Sequence, residues 1–120
     1  MDSLEIRFTE QPQRVSATGA QALTQAIDVS GYRVLDLILS VYAQTGTSPT
    51  LDVGVYTSMQ IDNEDAWGLL GTFTQVTSAN QHQLKSLTGV LKYIRYYVTV
   101  GGSASPTVTF EIRGYARRTS

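Results

Sequence analysis

The strongest constraint on this chain is an apolar–polar alternation that is kept in phase at two places 57 residues apart. In the first copy Leu35, Leu37, Leu39 and Val41 alternate with Asp36, Ile38, Ser40 and Tyr42, and Leu51, Val53 and Val55 alternate with Asp52, Gly54 and Tyr56. Successive side chains of a strand point to opposite faces, so each run reads as a strand with one buried side. In the second copy Ser48-Pro49-Thr50-Leu51 becomes Ser105-Pro106-Thr107-Val108. The same offset carries Leu37, Leu39 and Val41 onto Ile94, Tyr96 and Val98, and Leu51, Val53 and Val55 onto Val108, Phe110 and Ile112. A slip of one residue would turn a core face outward, so parity kept through both runs marks a repeated unit. The expectation is two similar long hairpins, with Pro49 and Pro106 in their turns and Gly101-Gly102-Ser103 turning the second.

The remaining segments are compatible with more strands. Leu4, Ile6 and Phe8 alternate with Glu5, Arg7 and Thr9, and Leu23, Ile27 and Val29 suggest an extended segment whose spacing also fits a helix. Between the two copies lie an acidic turn at Asp62-Asn63-Glu64-Asp65, a strand from about Ala66 to Thr77, a turn at Ser78-Ala79-Asn80 and a strand around Gln83 to Leu87. This adds up to an all-β, antiparallel sandwich or jelly roll of about eight or nine strands, with a closed barrel as the alternative.

A chain of 120 residues is one domain's worth and long enough for an apolar core without a staple. It has no Cys, which removes disulfides, thiol catalysis and thiolate zinc sites. No apolar run reaches the roughly 18 residues of a membrane helix, and the start of the chain does not read as a signal peptide, so a soluble, unsecreted protein is expected. Only 16% of residues are charged, against roughly 25% in an average domain, and 15 Thr, 11 Ser and 9 Gln supply the polarity instead. The charges divide by sign: residues 1–65 hold three positive and nine negative groups, and residues 66–120 hold six positive and one negative. That division suggests contacts between neighbouring protein copies rather than general nucleic-acid binding.

Three blocks, Thr45 to Thr57 (TGTSPTLDVGVYT), Gly71 to Thr77 (GTFTQVT) and Tyr93 to Phe110 (YIRYYVTVGGSASPTVTF), resemble small β-sandwich virion proteins of tailed bacteriophages, in particular head decoration (cement) proteins. The resemblance implies a structural, non-enzymatic protein without a cofactor on the capsid surface, made in the host cytoplasm. Its partners would be the major capsid protein and its own copies, as a homotrimer or other ring. It fades over the first residues, and residues 1–20 become a candidate partner-contacting arm. A tail or baseplate module of the same fold is one alternative. The order of Trp67, the GTF run and the YIR run also resembles discoidin-type jelly rolls that bind sugars or lipids, which keeps a carbohydrate-binding module open.

No catalytic set stands out. His82 is the single histidine, read as a surface residue in the polar turn from Asn80 to Gln83, and no serine sits in a nucleophile elbow. Asp62, Glu64 and Asp65 offer hard oxygen ligands but lack the spaced series of a calcium loop, so a solvated turn is the default reading. Asp36 and Asp52 could pair as glycosidase carboxylates only if the fold brought them together. Arg113, Arg117 and Arg118 are too few for an extended phosphate-binding face, and Arg117 and Arg118 are assigned to contact with acidic protein. If Ile94, Tyr96 and Val98 face inward, then Tyr93, Arg95 and Tyr97 form a row on the outer face, built of residue types enriched at interface hot spots. The row is expected to be a protein interface, with a stacked sugar ring or a covering segment of the same chain as the alternatives. Trp67 reads as a core or rim anchor.

Overall fold

In the computed structural model, which describes residues 3–9 and 11–118, the strands are β1 (Ser3–Arg7), β2 (Gln13–Val15), β3 (Gly19–Ala20), β4 (Ile27–Asp28), β5 (Val34–Ser58), β6 (Gly68–Thr72), β7 (Gln81–Thr88) and β8 (Tyr93–Arg117). Two single 3₁₀ turns, Leu23–Gln25 and Glu64–Ala66, are the helical elements among the described residues. The expected all-β antiparallel fold is what forms, as one eight-stranded, sandwich-like sheet.

The pairing within it differs from two hairpins. β5 and β8 are continuous strands of 25 residues that pair with each other along their length, from Val34 opposite Arg117 to Ser58 opposite Tyr93. Each expected hairpin is therefore one long strand, and Pro49, Pro106 and Gly101-Gly102-Ser103 lie inside strands rather than in reversing turns. Fully extended, 25 residues would span about 80 Å. The longest extent of the molecule is 43 Å, so the ribbon has to bend once. The bend falls where the register shifts, between Val41 and Thr50. Ser48 and Ser105, each just before its proline, both take left-handed φ values of 49° and 53°.

The 57-residue repeat is thus an approximate two-fold axis through the bend: residue i of β5 lies across from the repeat counterpart of residue 94 − i. Near this axis a glycine of each strand packs against the proline of the other. A Cβ on Gly46 (φ 102°) would lie 2.8 Å from Cα of Pro106, and one on Gly102 (φ 112°) would lie 3.0 Å from Cα of Pro49.

The other strands continue the ribbon outward. β1 to β4 run along the free side of β8, and β6 and β7 along the free side of β5. Residues 3–7, 13–15 and 19–20 of the expected arm are therefore hydrogen-bonded edges of the chain's own sheet. Residues 1, 2 and 10 of that arm lie outside the described residues. Bending closes the two halves over one core, in which Leu37, Leu39 and Val41 from one side of the bend share a cluster with Leu51, Val53, Val55, Ile94 and Val98 from the other. All the repeat positions expected to face inward are buried except Tyr96. Tyr96 is half-buried, and its ring meets Phe8 and Phe110 edge-on at 6.1 and 5.5 Å.

The bend generates a paired prediction. Gly46→Ala should destabilise by at least about 2 kcal/mol, since it meets both a positive φ and backbone. Ser48→Gly and Ser105→Gly should each stabilise, by similar amounts of about 0.5–1 kcal/mol, by relieving a left-handed L-residue. Chemical denaturation of the three variants checks this, and a stabilising Gly46→Ala or opposite signs at Ser48 and Ser105 would contradict the two-fold bend.

Candidate functional site

The half of the sandwich beyond the bend carries the predicted Tyr-Arg-Tyr row on its outer face. Register sets the neighbours: Tyr56 of β5 lies opposite Arg95, and Tyr97 lies between Gly54 on one side and Ala20 on the other. Gly54 in turn faces Thr72. Tyr97 therefore stands between two low positions, and a hollow opens on each side of the Tyr56–Tyr97 pair, whose ring centroids are 6.1 Å apart. One hollow, of about 220 Å³, is lined by Ala20, Tyr56, Glu64, Trp67, Arg95 and Tyr97. The other, of about 270 Å³, is lined by Asp52, Leu69, Thr72 and Thr99 together with the same two tyrosines.

The row is not uniformly exposed. Tyr97 is 38% exposed, but Arg95 is only 5% exposed because the segment after β5 folds over it. That segment is pinned by Asn63, whose Oδ1 accepts from Asp65 N at 3.0 Å and caps the turn Glu64–Ala66. Both carboxylate oxygens of Glu64 accept from the Arg95 guanidinium, which also donates to Gln21 O at 3.1 Å and lies 4.8 Å from the Trp67 ring centroid. A planar, weakly hydrated guanidinium suits this arrangement, with a fork for the carboxylate and a flat face for the indole. Tyr93 is half-buried, with Lys92 Nζ 5.3 Å from its ring centroid. For Arg95, the covering segment of its own chain is the arrangement found.

The other predicted residues are dispersed. Among the described residues no three acidic or histidine side chains converge as a metal site, and Glu64 is taken up by Arg95 while Asp62 and Asp65 stay exposed. Asp36 and Asp52 lie on opposite sides of the bend. Asp36 binds Arg117 Nε at 2.5 Å and Ser86 Oγ at 2.6 Å, and Asp52 accepts from Gln75 at 2.9 Å. Arg118 lies 5.5 Å from the Tyr32 ring centroid. His82 is a β7 strand residue, not a turn residue, because Gln81–Thr88 pairs with β5. Its Nδ1 is 2.8 Å from Ser40 Oγ.

Two of the ion pairs account for part of the charge division. Glu64 with Arg95, and Asp36 with Arg117, join an acid of the first half to a base of the second. The division expected to face neighbouring copies is used in part inside the chain. Hydrogen bonds from Arg95 hold the Glu64 carboxyl below its ordinary range, and those from Arg117 and then Ser86 do the same for Asp36. Burial raises the Tyr96 phenol.

The tyrosines, Arg95 and Trp67 were visible in sequence as separate residues. Tyr56, Gly54 and Gln21 were not connected to them. The outward parity of Tyr56 was legible, but its position beside Arg95 depends on the pairing of two strands about 40 residues apart.

Compared with known proteins, the chain matches no protein-family model and no curated protein sequence.

The single Trp reports on this site. Because the folded Glu64 carboxyl is depressed, its contribution to stability is present above the ordinary unfolded value of about 4 and is lost as pH falls below it. Trp67 emission should therefore change in an acid step below about pH 4, and Glu64→Gln should remove that step. Fluorescence from pH 7 to pH 2 checks this. An identical step in Glu64→Gln would contradict the assignment.

Proposed function

We propose that the protein is a non-enzymatic structural component of a tailed-bacteriophage virion, a decoration protein that stabilises the head by binding the major capsid protein. In this reading it is made in the host cytoplasm and finishes on the capsid surface, as a homotrimer or other ring of copies. The strand order supports a jelly roll: with β5 and β8 divided at the bend, one half of the sandwich runs β1 and β2, then residues 107–117 of β8, residues 34–41 of β5 and β7, and the other runs β3 and β4, then residues 93–100 of β8, residues 50–58 of β5 and β6. That fold is shared by many functions, so a surface has to carry the argument.

The surface is at the open end of the sandwich, where both ends of the ribbon meet. A hollow of about 420 Å³ is lined there by Tyr32, Met59, Val90 and Leu91, with Arg33 and Lys92 beside them. Met59 is 62% and Leu91 45% exposed. Flexible apolar side chains left in water next to cations fit an apolar side chain with acidic neighbours on a partner subunit. Arg118, packed on Tyr32, adds positive charge at this end. Arg117 is engaged with Asp36 and belongs to the supporting structure. Affinity on a lattice would come from many such modest contacts acting together, and would favour the assembled state over the free subunits.

Met59→Asp and Leu91→Asp should leave the thermal midpoint nearly unchanged, since both side chains are exposed. Each should weaken co-sedimentation with capsids lacking the protein by at least about tenfold. Undiminished co-sedimentation of both variants would contradict this placement of the capsid contact. Failure of the unmodified protein to bind capsids would contradict the decoration reading itself.

A further inference from the structure

Independently of that reading, we propose that the two hollows flanking Tyr97 form a binding site for a neutral oligosaccharide, with one sugar ring on each side of the tyrosine.

Three observations carry this. The first is shape. The hollows of about 220 and 270 Å³ share Tyr56 and Tyr97 as a common wall, and together they reach the roughly 300–1,000 Å³ of small-ligand sites. The second is the distribution of chemistry. A pyranose ring has an apolar C–H face and an equatorial rim of hydroxyls, so it needs an aromatic plane beside hydrogen-bonding groups. Tyr97 supplies an exposed ring, and Asp52, Thr72 and Thr99 bring a carboxylate and two hydroxyls to the lining of one hollow. The Arg95–Glu64 pair lies in the other, its guanidinium buried and its carboxylate exposed.

The third is the exclusion of other occupants. An extended peptide usually gains affinity by adding to a free strand edge. At this face β5 is already bonded to β6 and β8, and β8 to β3 and β5, so the ligand would be read by side chains alone. Charge argues for a neutral ligand. The Arg95 guanidinium is neutralised by Glu64, and Asp52 would repel an anion. Arg95, Glu64, Gln21 and Trp67 hold one another in place, so the first hollow is formed before a ligand arrives.

The test is titration of the ¹⁵N-labelled full chain with maltohexaose, cellohexaose and chitohexaose. At least one should shift the amides of Gly54, Tyr56, Tyr97 and Thr99 and the Trp67 indole together, in a saturable way. Tyr97→Ser should weaken that binding by at least about tenfold. Asp52→Asn, a near-isosteric change at a half-buried side chain, should also weaken it, and serves if Tyr97→Ser perturbs the fold. Tyr115→Ser, an exposed tyrosine on the other half, should leave it unchanged. No response to any of the three sugars, shifts confined to other residues, or equal binding by Tyr97→Ser and Asp52→Asn would each overturn the proposal. Shifts of these same residues by empty capsids, with none from the sugars, would make the face a protein interface instead. Capsid binding lost through Met59→Asp with sugar binding intact would separate the two sites.

Discussion

The antiparallel pairing of β5 with β8 is the constraint on which the rest of this molecule depends. It is the longest ladder in the fold, it supplies most of the core, and each remaining strand attaches to one of its two sides. Its length also forces the bend: a ribbon about 80 Å long cannot be buried in a 120-residue domain unless it folds back on itself. Once it does, one face of each half is removed from water against the other, and the opposite faces become the outer surfaces. Which side chains are available to a partner is therefore decided by parity along two strands. Outward-facing residues held on central strands are fixed more firmly than residues on loops would be.

The bend explains why the repeat is there. Two strands related by a two-fold axis present equivalent backbones at their crossing. The left-handed serine before a proline therefore appears twice at equivalent positions, and each strand also places a glycine, Gly46 or Gly102, under the other strand's proline, although these two glycines are not repeat counterparts. The outer strands do not follow this symmetry, and the two outer faces have diverged. Gly54 and Ala20 leave hollows around Tyr97, whereas the corresponding face of the other half carries the Asp36–Arg117–Ser86 cluster and the exposed Leu84.

How much of this could be read beforehand follows from the range of each interaction. Alternation is local, so the inward faces of both repeat copies, the inward Ile6 and Phe8 and the outward parity of Tyr56 and Tyr97 were all legible. Pairing is not local. Pro49 and Pro106 next to Ser and Gly read as reversing turns, because the same residues serve a sharp bend and a hairpin equally well. Only the partner strand distinguishes the two, and it lies far along the chain. The burial of Arg95 was hidden for the same reason: its outward direction was correct, but the cover comes from a turn some 30 residues earlier. Glu64 was a plausible ion ligand until Arg95 was placed beside it. The charge division was visible, and the fold uses part of it to join the acidic first half to the basic second half.

Each repeat copy is one strand of a bent ribbon rather than a closed hairpin, and the core, the open-end hollow and the aromatic face all follow from that. Backbone nuclear Overhauser contacts decide this directly. A bent ribbon gives cross-strand contacts between β5 and β8 on both sides of the bend, including the Leu39–Ile112 and Val53–Val98 pairs. Backbone contacts instead between 35–42 and 50–57, and between 93–99 and 107–113, would contradict it.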